Sequence, residues 1–395
     1  MQDSRLTAGT IVVVGASLAG IRAAEGARAE GFDGRIVVIG DEPHLPYDRP
    51  PLSKAVLLDE REPAEAEVTV ADGSGIEWWL GNRALALDVD CRKITTADGR
   101  ILPFDGLVIA TGSRPRALPD LCPDGESVFV LRTADDALAL RSALRPGARL
   151  LIVGGGFIGM EVASAAVRRG LAVSMVSLDP PLAAAGPLVA RTTSRILDAA
   201  GVDLHIGRSI AEHEPAPPVH NIRLDDGTRL AADAVLIAIG AVPATDWLTD
   251  SGLALGDGVL CDETLHAGPS VVAAGDVANW PNPSFGGRRM RIEHWSNAVE
   301  QGRAAGRALV RGPQAAPFAA IPSFWSDHFG VRLQSVGLPG SADDHRVTDG
   351  RPGENRFAAA GYRGGTLVGA VAYEMPRALI RHRATLVAGA GSRAP

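Results

Sequence analysis

The sequence predicts an α/β protein with two Rossmann-like nucleotide-binding domains and a small C-terminal α+β domain. Three observations predict it. A strand, a glycine turn, a helix and a second strand occur in that order near the start of the chain. The same order recurs in the middle. After about Pro317 the character changes to short β-like runs.

The first unit begins with the apolar run Thr10-Ile11-Val12-Val13-Val14. Gly15-Ala16-Ser17-Leu18-Ala19-Gly20 follows, then the Ala- and Arg-rich stretch 21–31 and a strand, Arg35–Ile39, that ends at Gly40-Asp41-Glu42. The second unit runs from Arg149–Val153 through Gly154-Gly155-Gly156-Phe157-Ile158-Gly159 and a helix to about Gly170, then the strand Leu171–Val176. One such unit alone can arise by coincidence; two, each between strand and helix, imply two nucleotide-binding domains. In each turn the first glycine permits the sharp bend, the second admits a pyrophosphate and the third lets helix pack on strand. The helix N-terminus then offers unpaired N–H groups to phosphate. Ser17 replaces the middle glycine of the first turn with another small residue.

Two further strand-like segments, Gly106–Ala110 and Ala234–Ile239, bracket the second unit and lead into Thr111-Gly112-Ser113 and Gly240-Ala241-Val242-Pro243. The chain is expected to leave the first domain near 115 and return near 242. The expected domains are therefore 1–115 and 243–320, forming one nucleotide-binding domain in two parts, 116–242 forming the other, and 321–395. The run 270–276 ends in Gly275-Asp276, where the carboxylate either accepts hydrogen bonds from a polyol or caps a helix. Phe324-Trp325-Ser326-Asp327-His328-Phe329-Gly330 opens the last domain, with Val331–Val336 and Gly365–Ala372 as further β-like runs. The Gly-, Ala- and Ser-rich tail 388–395 reads as disordered.

Composition narrows the function. With 46% hydrophobic and 22% charged residues, the 395-residue chain has the balance of a globular protein. A net charge of −7 argues against nucleic acid as a main partner. The first five residues lack the regions of a signal peptide, and no apolar run reaches the roughly 20 residues that span a bilayer. Cys91, Cys122 and Cys261 stand far apart, which disfavours a redox disulfide, a zinc ribbon or a disulfide scaffold and leads us to expect a cytoplasmic protein without metal. Nearly all basic residues are arginine; Lys54 and Lys93 are the only lysines.

The glycine turn at 15–20, the block Gly40-Asp41-Glu42-Pro43-His44-Leu45-Pro46-Tyr47-Asp48-Arg49-Pro50-Pro51-Leu52-Ser53-Lys54, Ala110-Thr111-Gly112, 154–161, Gly275-Asp276 and Phe324-Trp325-Ser326-Asp327 together carry a resemblance. The chain resembles the FAD-dependent NAD(P)H ferredoxin reductases of bacterial oxygenase and cytochrome P450 systems, the putidaredoxin reductase-like branch of the pyridine nucleotide-disulfide oxidoreductases. It covers about 10–340 and weakens in the last 50 or so residues.

The resemblance implies that the first unit binds FAD and the second NADH, with NADPH also possible. It assigns Gly15, Ser17, Ala19 and Gly20 to the FAD pyrophosphate, Asp41 to the adenosine ribose with Glu42 competing, and Leu85 to the adenine. Arg49, Lys54, Thr111, Gly112, Arg132, Gly275, Asp276 and Trp295 fall to the flavin and its ribityl chain, and Trp325 to the flavin and the docking face. Gly154, Gly156, Ile158, Gly159 and Ser177 fall to the nicotinamide nucleotide. NADH-selective relatives usually carry an acid where this chain has Ser177; Asp179 is close enough in sequence to restore that preference.

Catalysis is expected from Lys54 and Glu161. An ammonium near the flavin stabilises its reduced form, and the resemblance pairs it with Glu161. Read from the sequence alone, Glu161 equally suits the first turn of a helix, where a carboxylate complements the dipole. The related disulfide reductases need cysteine near the flavin, and the first cysteine here is Cys91, so the expected acceptor is an iron–sulfur ferredoxin. Arg303, Arg307 and Arg311 recur every four residues as a basic stripe, either a docking face for an acidic ferredoxin or a solvated surface. Trp325 equally suits core packing. An NADH oxidase or small-acceptor reductase, and a redox-signalling flavoprotein of the apoptosis-inducing-factor type, are the alternative functions.

Overall fold

The computed structural model describes residues 5–70, 75–216 and 219–391. Residues 1–4, part of the N-terminal segment discussed above, lie outside the described residues.

The Val- and Ile-rich run Thr10–Val14 forms the middle of a six-stranded sheet, ordered His266–Gly268, Val271–Ala273, Gly106–Ile109, Thr10–Val14, Arg35–Ile39, Ile76–Trp79. Its pairings with Arg35–Ile39 and Gly106–Ile109 are parallel, with Val12 opposite Val37 and Leu107. Ile11, Val12 and Val13 are fully buried, as expected of a strand covered on both faces. Burying each such side chain contributes roughly 1.5–3 kcal/mol.

Helices α1 (Leu18–Ala29) and α5 (Trp295–Arg311) cover this sheet and pack on one another through glycine. A methyl group at Gly302 or Gly306 would collide with the Ala19 or Ala23 carbonyl. Their absence of side chains lets the two backbones touch.

The second unit builds a five-stranded parallel sheet, ordered Asp203–Ile206, Ala172–Ser177, Arg149–Val153, Ala234–Ile237, Val128–Phe129. Helices α2 (Ala134–Ala143), α3 (Phe157–Arg168) and α4 (Pro187–Ala199) accompany it. The strands Ser113–Pro115 and Ala241–Pro243 pair antiparallel where the chain passes between the two sheets. The remaining large sheet is antiparallel, ordered Ser323–His328, Val331–Gly337, Thr366–Tyr373, Arg356–Arg363, Asp344–Arg351.

The C-terminus corrects one expectation. Helix α6 runs Pro376–Gly391, so residues 388–391 continue a helix rather than start a disordered tail. Ala388 and Ala390 favour helix, and Ala378, Leu379 and Leu386 anchor α6 by burial. Residues 392–395, the rest of that tail, lie outside the described residues. Among the described residues no helix is long and apolar enough to cross a membrane.

Candidate functional site

A cavity of about 790 Å³ opens at the ends of the first parallel sheet. That is the size of a small-molecule or cofactor site. Gly15, Ser17, Ala19, Asp41, Glu42, Arg49, Lys54, Leu85, Thr111, Gly112, Arg132, Ile158, Glu161, Gly275, Asp276, Trp295 and Trp325 line it. The cavity lining thus includes residues next to each of the three largest sheets. Gly20 lies behind the lining, where a side chain would strike the Gly15 carbonyl. Gly154, Gly156, Gly159 and Ser177 stand apart at the second glycine turn.

At the pyrophosphate end, Gly15 holds φ of +121°, a conformation reserved for glycine. Ser17 caps α1 in extended conformation, but its side chain makes no capping hydrogen bond. Ser17, Leu18 and Ala19 all line the cavity, so the start of α1 borders it. Asp41 is exposed and approaches Arg83 at 3.3 Å. Glu42, its competitor for the ribose, also lines the cavity but is engaged within the protein: Arg49 donates to it at 2.8 Å and the Tyr47 hydroxyl also donates to it. Burial pushes the Tyr47 phenol up, keeping it a donor. The Tyr47 oxygen also accepts the Ala134 N–H at 2.9 Å, which ties this block to the start of α2.

Asp276 is no helix N-cap, contrary to one of the two sequence readings. It lies inside a 3₁₀ turn, Gly275–Val277, whose cap is Ala274. Its carboxylate accepts from Arg132 at 2.9 Å and Ser113 at 3.0 Å. Thr111 donates to the Ala244 carbonyl at 2.8 Å, linking the two crossing strands.

The cavity also contains polar groups with nothing to bind. Among the described residues, Arg132 Nε, Trp247 Nε1 and His294 Nδ1 are buried without a hydrogen-bond partner. Such orphans are costly unless a ligand satisfies them. Burial pushes the His294 imidazole down to about 4, so it presents a neutral ring, packed on Phe324 at 5.0 Å. A glycine cradle at a helix N-terminus, a carboxylate beyond it and unpartnered polar nitrogens along the cavity to its far end fit an extended dinucleotide such as FAD.

Lys54 and Glu161 meet at that far end. Their Nζ–Oε2 distance is 2.6 Å, and the Glu161 side chain is only 6% exposed. Ser53 donates to the same carboxylate at 2.5 Å and Ser326 at 2.7 Å. The helix-dipole reading of Glu161 needs correction. α3 starts at Phe157, so Glu161 lies beyond its first turn, where the dipole effect has decayed. Removing one partner of such a buried pair costs about 3–5 kcal/mol.

The aromatic rim is formed by Trp295 and Trp325, edge to face with centroids 6.0 Å apart. Both are more than one-third exposed, so the core-packing reading of Trp325 does not hold. Trp295 donates to Asp48 at 2.7 Å. Along α5, Arg311 pairs with Glu30 at 2.8 Å and Arg303 approaches Glu25 at 3.9 Å. Part of the basic stripe is thus neutralised by α1. None of Cys91, Cys122 and Cys261 lines the cavity.

Sequence reasoning missed Ser53, Ser326, His294 and Trp247 as site residues. The first two lie within the quoted motifs, directly beside Lys54 and Trp325; Trp247 carried no local signal.

The family model described as pyridine nucleotide-disulphide oxidoreductase matches residues 9–302, and the one described as reductase C-terminal matches 323–394. The last segment, where the resemblance weakened, therefore has a family match of its own. The ferredoxin reductase component of chlorobenzene dioxygenase from Cupriavidus sp. (strain PS12) is 37% identical, covering 93% of this chain and 90% of its own. Rhodocoxin reductase from Rhodococcus erythropolis is 32% identical, covering 93% and 87%. A crystal structure of the covalent putidaredoxin reductase–putidaredoxin complex superposes with a TM-score of 0.90 at 30% identity, covering 96% of this chain and 93% of that one.

Proposed function

The chain belongs to the pyridine nucleotide-disulphide oxidoreductase family, and from that premise we propose that it is a ferredoxin reductase, carrying electrons from NADH through FAD to an iron–sulfur ferredoxin that serves a dioxygenase or cytochrome P450. The observation that carries the reading is the cavity itself. It couples a dinucleotide cradle to a buried Lys–Glu pair, yet no cysteine lines it. When bound, FAD supplies the conversion of one hydride into two single electrons.

The protein's own residues position and stabilise. The first turn of α1 and Ser17 hold the pyrophosphate, and Asp41 holds the adenosine ribose. Asp276, fixed by Arg132 and Ser113, faces the polyol chain. Lys54 supplies positive charge where reduction adds negative charge. Glu161, clamped by Ser53 and Ser326, keeps that ammonium in place. Trp295 and Trp325 form an exposed apolar rim for a docked partner, with Arg303 the nearest basic residue of the α5 stripe.

NADH is the proposed donor. Ser177 ends its strand, and Asp179 is exposed two residues on, open to a ribose diol. Arg208, which follows the neighbouring strand, is paired with Asp226 at 2.9 Å. Relatives such as the benzene 1,2-dioxygenase ferredoxin–NAD(+) reductase subunit of Pseudomonas putida support the same choice. The test is cytochrome c reduction by NADH through added ferredoxins, run beside NADPH. Ferredoxin-dependent turnover with higher kcat/KM for NADH supports the reading. Turnover that ignores ferredoxin and consumes oxygen contradicts it.

A further inference from the structure

Lys54 and Glu161 border a second space. A cleft of about 750 Å³ lies on their far side, lined also by Ser164, Arg168, His328, Arg332 and Glu374. The ion pair is therefore a wall between the large cavity and this cleft.

A short hydrogen-bonded chain crosses the wall. Ser326 Oγ donates to Glu161 Oε1 at 2.7 Å, and His328 Nδ1 stands 3.4 Å from the same Oγ. The His328 side chain is buried, with the residue 2% exposed, and its Nε2 has no partner among the described residues. Ser326 and His328 alternate along the strand Ser323–His328, so both side chains point to one face of the sheet.

The reaction proposed above leaves a proton to be moved. One NADH and two oxidised iron–sulfur clusters give NAD⁺, two reduced clusters and one H⁺. The hydride brings two electrons with that proton; the clusters take only the electrons. One proton per turnover must leave the large cavity.

We propose that Glu161, Ser326 and His328 conduct this proton from the large cavity to water in the second cleft. The inference rests on the ferredoxin reductase reading. Glu161 receives the proton, Ser326 passes it by accepting one proton and donating another, and His328, which lines the cleft, hands it on from its buried Nε2 when that atom opens to cleft water. His328 acts through Ser326 and touches neither cofactor nor substrate.

The surroundings suit a neutral imidazole, which offers one nitrogen as donor and the other as acceptor. Burial holds the His328 ring down at about 4. Of the charged groups around it, Asp327 is tied to Arg332 at 2.6 Å and Arg168 to Glu60 at 2.9 Å. Lys54 is held by Glu161, and Glu374 accepts the Arg332 N–H. The Tyr373 ring stands edge-on at 6.1 Å, its hydroxyl turned to Thr193.

The test uses the FAD-loaded full chain, reduced by NADH and then mixed with ferricyanide in weakly buffered solution containing a pH indicator. Ferricyanide takes single electrons and no proton. It stands in for the ferredoxin, so a failure to reduce ferredoxin would sink the functional reading without touching this measurement. His328→Ala and His328→Gln are each expected to slow proton release by about tenfold or more, while NADH reduces the flavin at the parental rate. Imidazole is expected to restore release in H328A. In reduced-minus-oxidised infrared spectra, the carboxyl band lost in E161Q should exchange with deuterium more slowly in H328Q than in the parent. Parental release rates in both variants, slowing that imidazole does not reverse in H328A, or unchanged deuterium exchange would each overturn the proposal.

Discussion

Lys54 Nζ and Glu161 Oε2 lie 2.6 Å apart, although one residue ends the long block after the second strand and the other sits on α3. The pair joins the two nucleotide-binding units. Ser53 and Ser326 complete the ring of donors around the carboxylate.

Replacing Lys54 by Met should slow reduction of the flavin by NADH about 100-fold, the loss typical of one preorganised electrostatic group. FAD should remain bound, because the glycine cradle and Asp276 are untouched. Stopped-flow bleaching of the flavin measures the rate, and the absorbance ratio of flavin to protein measures occupancy. An unchanged rate would remove Lys54 from the chemistry.

Docking should weaken unevenly along α5. At 1.5 Å per residue, Arg303 stands about 12 Å and Arg311 about 24 Å along the axis from Trp295. Arg311 is also neutralised by Glu30. Arg303→Glu should therefore raise the KM for ferredoxin several-fold more than Arg311→Glu. Raising salt should narrow the difference, since screening acts on exposed charges. Steady-state kinetics at two ionic strengths checks both statements.

The α1–α5 contact should tolerate no added volume. Gly306→Leu places a side chain against the Ala23 carbonyl and the Ala27 N–H. Overpacking of this kind costs about 1–3 kcal/mol or more. The expected result is a lower thermal midpoint, with FAD lost at lower temperature than in the parent, read by flavin fluorescence and circular dichroism.

Stability should also depend on pH below neutrality. His294 and His328 are both held near 4, below the ordinary value of 6.5. Between those values the unfolded chain binds more protons than the folded one, so stability rises with pH across that window. Acidification from 7 towards 4 should destabilise the fold, and H328Q should flatten the slope by up to about 1.4 kcal/mol per pH unit. Chemical denaturation at several pH values tests this; an unchanged slope in H328Q would contradict it.

The nucleotide-binding architecture was legible because its signals are local. Ile11–Val14 and Leu150–Val153 are unbroken apolar runs, each followed at once by a glycine held at positive φ. Lys54 and Glu161 were legible through their motifs, not through spacing, for their meeting depends on how two sheets are joined. Asp276 shows the limit: either reading of Gly275-Asp276 was consistent with the local sequence, and only Arg132 and Ser113, brought in by the fold, separate them. His328 lay in a quoted run without a role and Trp247 had no local signal, since one depends on the third sheet lying against α3 and the other on the turn Asp246–Leu248 that follows a crossing strand. The α6 extension was misread because Gly-rich composition outweighed the alanines that alternate with it.

The most direct test of the account is stoichiometric. The FAD-loaded protein is mixed anaerobically with one equivalent of NADH and excess oxidised [2Fe–2S] ferredoxin, and the reduced ferredoxin is counted by its absorbance. Two equivalents of reduced ferredoxin per NADH, with one proton released, is the predicted result. NADH oxidation that leaves the ferredoxin oxidised and the electrons on the flavin would contradict it.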